Sequence, residues 1–266
     1  MKALRDDLLR EYSELADRAE ALSPGQWQIS TPFYGWSPYD EIAHLCLFDE
    51  LAVVAITDLR EFRRQQAALD ANIADGKPIS EIARERFAGI SGKDLNHLWR
   101  TLHTRVCDLL ATADAKARVP WFGPDMSARS FATARLMETW AHGQDIYDAL
   151  RLRRPVSARL RHIAHLGVFT FGWSFRNRGL PLPSAPPLVE LSGAEGEIWR
   201  WNEASVDGVL RGSAEDFCLV VTQRRHFADT TLQGEGDGTL AWMAIAQCFA
   251  GPPADGPAPG DRRIDY

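Results

Sequence analysis

Apolar side chains recur every three to four residues through much of the first two thirds of the chain, with charged residues between them, the period at which an α-helix buries one stripe. Leu4, Leu8, Leu9, Tyr12, Leu15 and Ala16 predict a helix over residues 2–22, ended by Ser23-Pro24-Gly25. After the aromatic, turn-rich TPFYGW comes Ser37-Pro38, with Asp40 three residues beyond Ser37. This is a helix start, in which a side-chain oxygen caps free N–H groups and proline occupies the first turn. The helix is expected to run from Pro38 to beyond residue 60. Past the break at Gly76-Lys77-Pro78 the pattern predicts a short helix over 80–87 and a longer one over 93–113, carrying Leu95, Leu98, Leu102, Val106, Leu109 and Leu110. VPWFGPDMS reads as a loop, Ser127 caps a helix reaching Leu150, and another helix fits 157–177.

The period changes after LPLPSAPP, residues 180–187, where proline fixes φ and biases its neighbours away from helix. Val189 and Leu191, a glycine-containing turn, then Ile198, Trp199 and Trp201 predict a hairpin, with a further strand over 205–210. Helices fit 213–223 and 238–249, and GPPADGPAPGDRRIDY reads as an extended or disordered tail. The expected fold is mainly α: a helical bundle with a four-helix core over residues 1–179, a Pro-rich linker over 180–187, a smaller α+β domain over 188–251 and a tail over 252–266.

Composition narrows the function classes. With 45% hydrophobic and 25% charged residues the chain is an ordinary packed globular protein. A formal net charge of -6, and no Lys/Arg block interleaved with aromatics, argue against a nucleic-acid partner. The charged first residues lack the apolar core of a signal peptide, and no run of about 18 apolar residues exists to cross a membrane, so a cytoplasmic protein is expected. Cys46, Cys107, Cys218 and Cys248 form no CxxC pair and read as buried reduced thiols.

Candidate chemistry begins with Glu138 and His142 in ETWAHGQD, four apart and therefore on one helix face within reach of one ion. His44 lies in the apolar stretch IAHLCLF, where burial demands a partner for its ring nitrogens. A carboxylate and two imidazoles suit zinc and leave a tetrahedral ion one open position. Asp145 reads either as a supporting partner or fourth ligand or, more ordinarily, as a surface carboxylate. His165 reads as facing the bundle interior or as a packing or surface residue, and Trp121 and Phe122 as a pocket wall or a cap on the bundle end.

WSPYDEIAHL, followed about ninety residues later by METWAHGQDIYDAL, resembles the motif pair of the DinB-like metal-binding bundle superfamily, in the branch containing mycothiol-dependent maleylpyruvate isomerase. VPWFGPDMSARSFATARLMETWAHGQD and AEDFCLVVTQRRHFADT are further similar to an actinobacterial-type metal-binding subfamily with no assigned reaction. The resemblance implies zinc on His44, Glu138 and His142, and a second domain similar to sterol-carrier-like modules. It also implies an arginine from that domain in the metal cleft, for which Arg224 is the matching position, with Arg225 beside it. Two cations at a helix C-terminus also suit its dipole without any such role. The activity implied is that of a thiol-dependent isomerase or S-transferase, with a low-molecular-weight thiol such as mycothiol as cosubstrate and a small, electrophilic, carboxylate-bearing substrate. Metal-assisted hydrolysis with Asp145 as base, and non-catalytic binding of metal and apolar ligand, are the alternatives; the sequence leaves oligomeric state open.

Overall fold

The computed structural model describes every residue except Pro124 and Asp265. The chain divides into two compact units, Met1–Leu150 and Arg151–Tyr266.

The first unit runs α1 (Lys2–Glu20), α2 (Pro38–Thr57), α3 (Leu59–Ala74), α4 (Ile79–Arg86), α5 (Gly92–Thr112), β1 (Arg118–Val119), β2 (Met126–Ser127) and α6 (Ala128–Ala149). Helices α1, α5, α2 and α6 pack in a ring of neighbours, α1 on α5, α5 on α2, α2 on α6 and α6 on α1, which closes a four-helix core. The faces that meet are those the periodicity picks out: Leu8, Tyr12 and Leu15 from α1, and Leu95, Trp99 and Leu110 from α5, are all buried. α2 and α6 bury residues around most of their circumference, including charged ones, because each is flanked by other helices on several sides.

α2 begins as expected. Ser37 accepts a hydrogen bond from the Asp40 backbone N–H while the Asp40 carboxylate accepts from the Ser37 N–H at 2.7 Å, and Pro38 fills the first helical position. Asp40 is itself gripped by the Arg84 guanidinium from α4, which fixes the start of α2 against its neighbour. The helix expected to pass residue 60 instead stops at Thr57. Asp58 is extended, with φ -147° and ψ 94°, and its carboxylate caps the next helix by accepting from Arg60 and Glu61 N–H groups. Within VPWFGPDMS, β1 and β2 pair antiparallel, Val119 opposite Met126.

In the second unit α7 (Leu160–Phe169) and α8 (Phe171–Asn177) replace the single helix expected over 157–177. They are followed by β3 (Leu188–Ser192), β4 (Ile198–Trp201), β5 (Val209–Ser213), α9 (Ala214–Val221), β6 (Gln233–Glu235) and α10 (Asp237–Ile245). The sheet order is β4-β3-β5-β6. β3 and β4 form the expected hairpin, Val189 opposite Trp201, while β3 and β5 run parallel. Val189 and Leu191 are buried. The strand expected over 205–210 lies later, at Val209–Ser213, since residues 202–208 are irregular, with a turn at 203–204 and a bend at 207.

α7 packs on α9 and α8 on α10, so the helices that the sequence assigned to the bundle pack inside the second unit, and the division falls at Leu150 rather than at residues 180–187. A stripe of 3.6 period shows that a helix buries one face without showing which body it buries it in. Residues 252–264 carry little regular structure, but they are held down: Gln223 Nε2 donates to Ala254 O at 2.7 Å, Gln247 Oε1 accepts from Ala254 N at 3.1 Å, and Arg262 Nη1 donates to Gln223 O at 2.7 Å. Among the described residues no helix is long and apolar enough to cross a membrane.

Candidate metal centre

His44 comes from the second turn of α2, and Glu138 and His142 lie one turn apart on α6. Because α2 and α6 pack directly, these three side chains converge, with one ligand atom from each lying within 4.8 Å of the others. Glu138 Oε2 is 3.3 Å from His142 Nε2 and 3.9 Å from His44 Nε2, which makes the carboxylate the hub between two imidazoles. His142 is buried, while a quarter of the Glu138 side chain stays exposed, so the cluster is not sealed.

Burial alone would raise the Glu138 carboxyl, but the His142 and His44 imidazoles outweigh it and hold the group well below the ordinary carboxylate range. An ionised carboxylate facing two ring nitrogens is a donor set that suits a divalent transition metal.

His142 carries a further feature. Its Nδ1 stands 2.6 Å from Glu41 Oε2, and Glu41 is fully buried, its other oxygen accepting from Thr31 Oγ1 at 3.3 Å. A carboxylate on Nδ1 fixes the ring's orientation and favours the tautomer whose Nε2 lone pair faces Glu138, the usual support of a metal-binding histidine. Asp145, read more ordinarily as a surface carboxylate, is instead 2% exposed and clusters with Glu41 and His142. The donor set and its backing carboxylate therefore fit a divalent metal.

Aromatic rings line the imidazoles. Trp36 stacks on His142, centroids 5.8 Å apart and planes 13° apart, and lies 5.4 Å from His44. Phe33 meets His142 edge-on at 5.6 Å, and Phe48 lies 4.7 Å from His44. Trp121 is buried against Phe62 and Phe131 and also meets Phe48 at 6.1 Å, and the half-buried Phe122 meets Phe48 at 5.6 Å, so both rings extend the aromatic wall.

The remaining candidates lie in the second unit. Arg224 follows α9, is buried, and donates from Nη1 to Thr222 O at 2.8 Å; Arg225 Nη1 donates to Arg224 O at 2.8 Å. His165 is exposed on α7 and accepts from Trp201 Nε1 at 3.3 Å, so it belongs to the sheet-bearing unit and not to the bundle interior. Sequence reasoning missed Glu41. Its only signal is its place three residues before His44, in a stretch where acidic residues are expected at a helix N-terminus anyway.

Residues 8–147 match the family model described as the mycothiol maleylpyruvate isomerase N-terminal domain. Two proteins of Mycobacterium tuberculosis, from strains CDC 1551 / Oshkosh and H37Rv and both described as uncharacterized, are each 42% identical over 251 residues, covering 94% of this chain and 96% of theirs. A crystal structure of a mutant of mycothiol-dependent maleylpyruvate isomerase shares the fold with a TM-score of 0.53 at 12% identity, over 88% of this chain and 92% of that one. A second structure of that isomerase gives 0.50 at 13% identity, over 82% and 87%. These likenesses agree with the helical core and the α+β second part, and the chain belongs to the mycothiol maleylpyruvate isomerase N-terminal domain family.

Proposed function

We propose that this protein is a zinc-dependent enzyme that joins a low-molecular-weight thiol, of the mycothiol kind, to a small electrophilic substrate, leading either to isomerisation or to S-transfer. The observation that carries the reading is the convergence of His44, Glu138 and His142 with the Glu41 carboxylate behind His142. Bound there, zinc would supply a Lewis acid that lowers the pKa of a thiol.

The chain's own side chains do the rest. His44, Glu138 and His142 hold the ion, Glu41 keeps the His142 ring in its binding tautomer, and the rings of Trp36, Phe33 and Phe48 limit water around it. Arg224 is proposed to bind a carboxylate of the substrate, for which a guanidinium fork offers two donors. The thiol must come from outside: all four cysteines are buried, and burial pushes the Cys107 thiol up to about 12 and raises Cys46 and Cys218 as well. No observation favours hydrolysis, since Asp145, its candidate base, is buried beside Glu41 and His142.

Untagged protein should carry metal near one equivalent by inductively coupled plasma mass spectrometry, and His44→Ala and His142→Ala should lose it. In the cobalt(II)-loaded protein a thiol should produce a sulfur-to-metal charge-transfer band. Absence of metal from protein purified under zinc-replete conditions would refute the metal reading; bound metal with no spectral response to any thiol would refute the thiol reading alone.

A further inference from the structure

Beneath the ligands, four helices of the first unit converge on one fully buried carboxylate. Asp49 Oδ1 accepts from Tyr12 Oη of α1 at 2.7 Å and from Arg135 Nε of α6 at 2.9 Å, while Asp49 Oδ2 accepts from Trp99 Nε1 of α5 at 2.8 Å. Asp49 belongs to α2, the helix of His44, and Arg135 lies about one turn before Glu138 on α6. The Asp49–Arg135 ion pair is thus a direct polar tie between the two helices that present the ligands.

A role in stability alone fits this pair poorly. Arg135 is 3% exposed, and its Nη2 is buried with no hydrogen-bond partner. Burying an incompletely bonded ion pair is at best neutral against an apolar pair of equal volume. Glu138, about one turn along α6, is also among the carboxylates that favour the charged form of Arg135.

We infer that Asp49 and Arg135 are positioning residues: their ion pair sets the separation and register of α2 and α6 so that Glu138 stands between the two imidazoles in a geometry one divalent metal can use. The inference rests on the metal reading above and adds to it which buried residues tune the affinity. Asp49 supplies the negative end, Tyr12 and Trp99 hold its carboxylate from the other two helices, and Arg135 carries the constraint to Glu138 one turn away.

The test compares metal-free wild type with the double variant Asp49→Asn/Arg135→Gln, which removes both charges together and leaves the Asn oxygen to accept from Trp99 and its NH2 to donate to the Tyr12 hydroxyl oxygen. Zinc affinity is measured by competition with a chromophoric chelator, and cobalt(II) reports the ligand geometry by its visible absorption. The double variant is expected to bind zinc about tenfold more weakly, with a changed cobalt(II) spectrum, and Arg135→Lys alone, which keeps a cation opposite Asp49, to recover most of that loss. A purely structural pair would lower the urea midpoint and leave both metal readouts unchanged, and that result overturns the inference. Should the double variant fail to fold, Tyr12→Phe removes one donor to Asp49 at nearly constant volume, and Trp99→Phe removes the other while leaving a small cavity. Each is then expected to weaken zinc binding roughly two- to fivefold, and unchanged affinity in both overturns the inference. Wild type that binds no zinc refutes the metal reading and this inference with it; wild type that binds, beside variants that bind equally well, refutes this inference alone.

Discussion

The Glu41 carboxylate behind His142 is the feature whose removal gives the sharpest number. In Glu41→Gln the side chain keeps its length and an oxygen to accept from His142 Nδ1, so the ring's tautomer survives while the negative charge 2.6 Å away is lost. A charge-assisted hydrogen bond exceeds a neutral one by about 1 kcal/mol. That loss falls on the metal-bound state, in which the ring must push electron density toward the ion, and corresponds to roughly five- to tenfold weaker zinc binding. Glu41→Ala also frees the ring to turn and belongs at the upper end of the range, about a hundredfold. The assay is zinc titration against a chromophoric chelator at pH 7, with stability followed separately by urea unfolding of the metal-free protein. Burying an amide costs less than burying a carboxylate, so the Gln variant should not lose stability. Equal zinc affinity in wild type, Glu41→Gln and Glu41→Ala would refute the reasoning, because the contact would then be core packing that the metal site does not feel.

Two further results follow from the bundle interior. His103 is buried and stacked on Tyr12 at 4.6 Å, and burial lowers its pKa from the usual 6.5 to about 4. The folded value lies below the unfolded one, so the unfolded chain takes up the proton first and stability falls as pH drops from about 6.5 towards 4, by up to about 3 kcal/mol. His103→Phe should flatten that slope in urea unfolding curves taken across the range, and an unaltered slope would contradict the burial argument. At the start of α5, a Cβ on Gly92 would stand 2.3 Å from the Trp27 ring. Gly92→Ala should therefore cost about 1–3 kcal/mol through overpacking despite the better helix propensity of alanine, and a gain in the urea midpoint would contradict it.

How much of this was legible beforehand depends on what each residue had to announce. His44, Glu138 and His142 stood out because a histidine in an apolar stretch and an i, i+4 pair are unusual, and the structure brings all three together. Glu41 and Asp49 did not, because each stands beside another carboxylate, Asp40 and Glu50, and looks like part of a solvated face, while Arg135 carries no metal-ligating side chain to mark it; only the packing of α2 and α6 reveals all three as buried. The same crowding explains why the break at Asp58 was missed, since apolar periodicity continues across it while a side-chain cap restarts the helix. The division at Leu150 was hidden for a related reason. Proline at 180–187 marks an irregular segment, but whether α7 and α8 pack before or after it is decided by partners distant in sequence, such as Phe217 and Trp242, which meet α7 and α8.

The held-down segment 252–262 sets an order of events during synthesis. The first unit closes with residues up to 150, and its ring of helices is available as soon as α6 has left the ribosome. In the second unit, Gln223 and Gln247 find partners in Ala254, Gln223 O in Arg262, and Arg178 in Asp255. These contacts span up to 77 residues and cannot form until residues 254–262 have emerged. The bundle is therefore free to fold during elongation, while the sheet-bearing unit can be completed only after it, with the slower, non-local closure that long sequence separations impose.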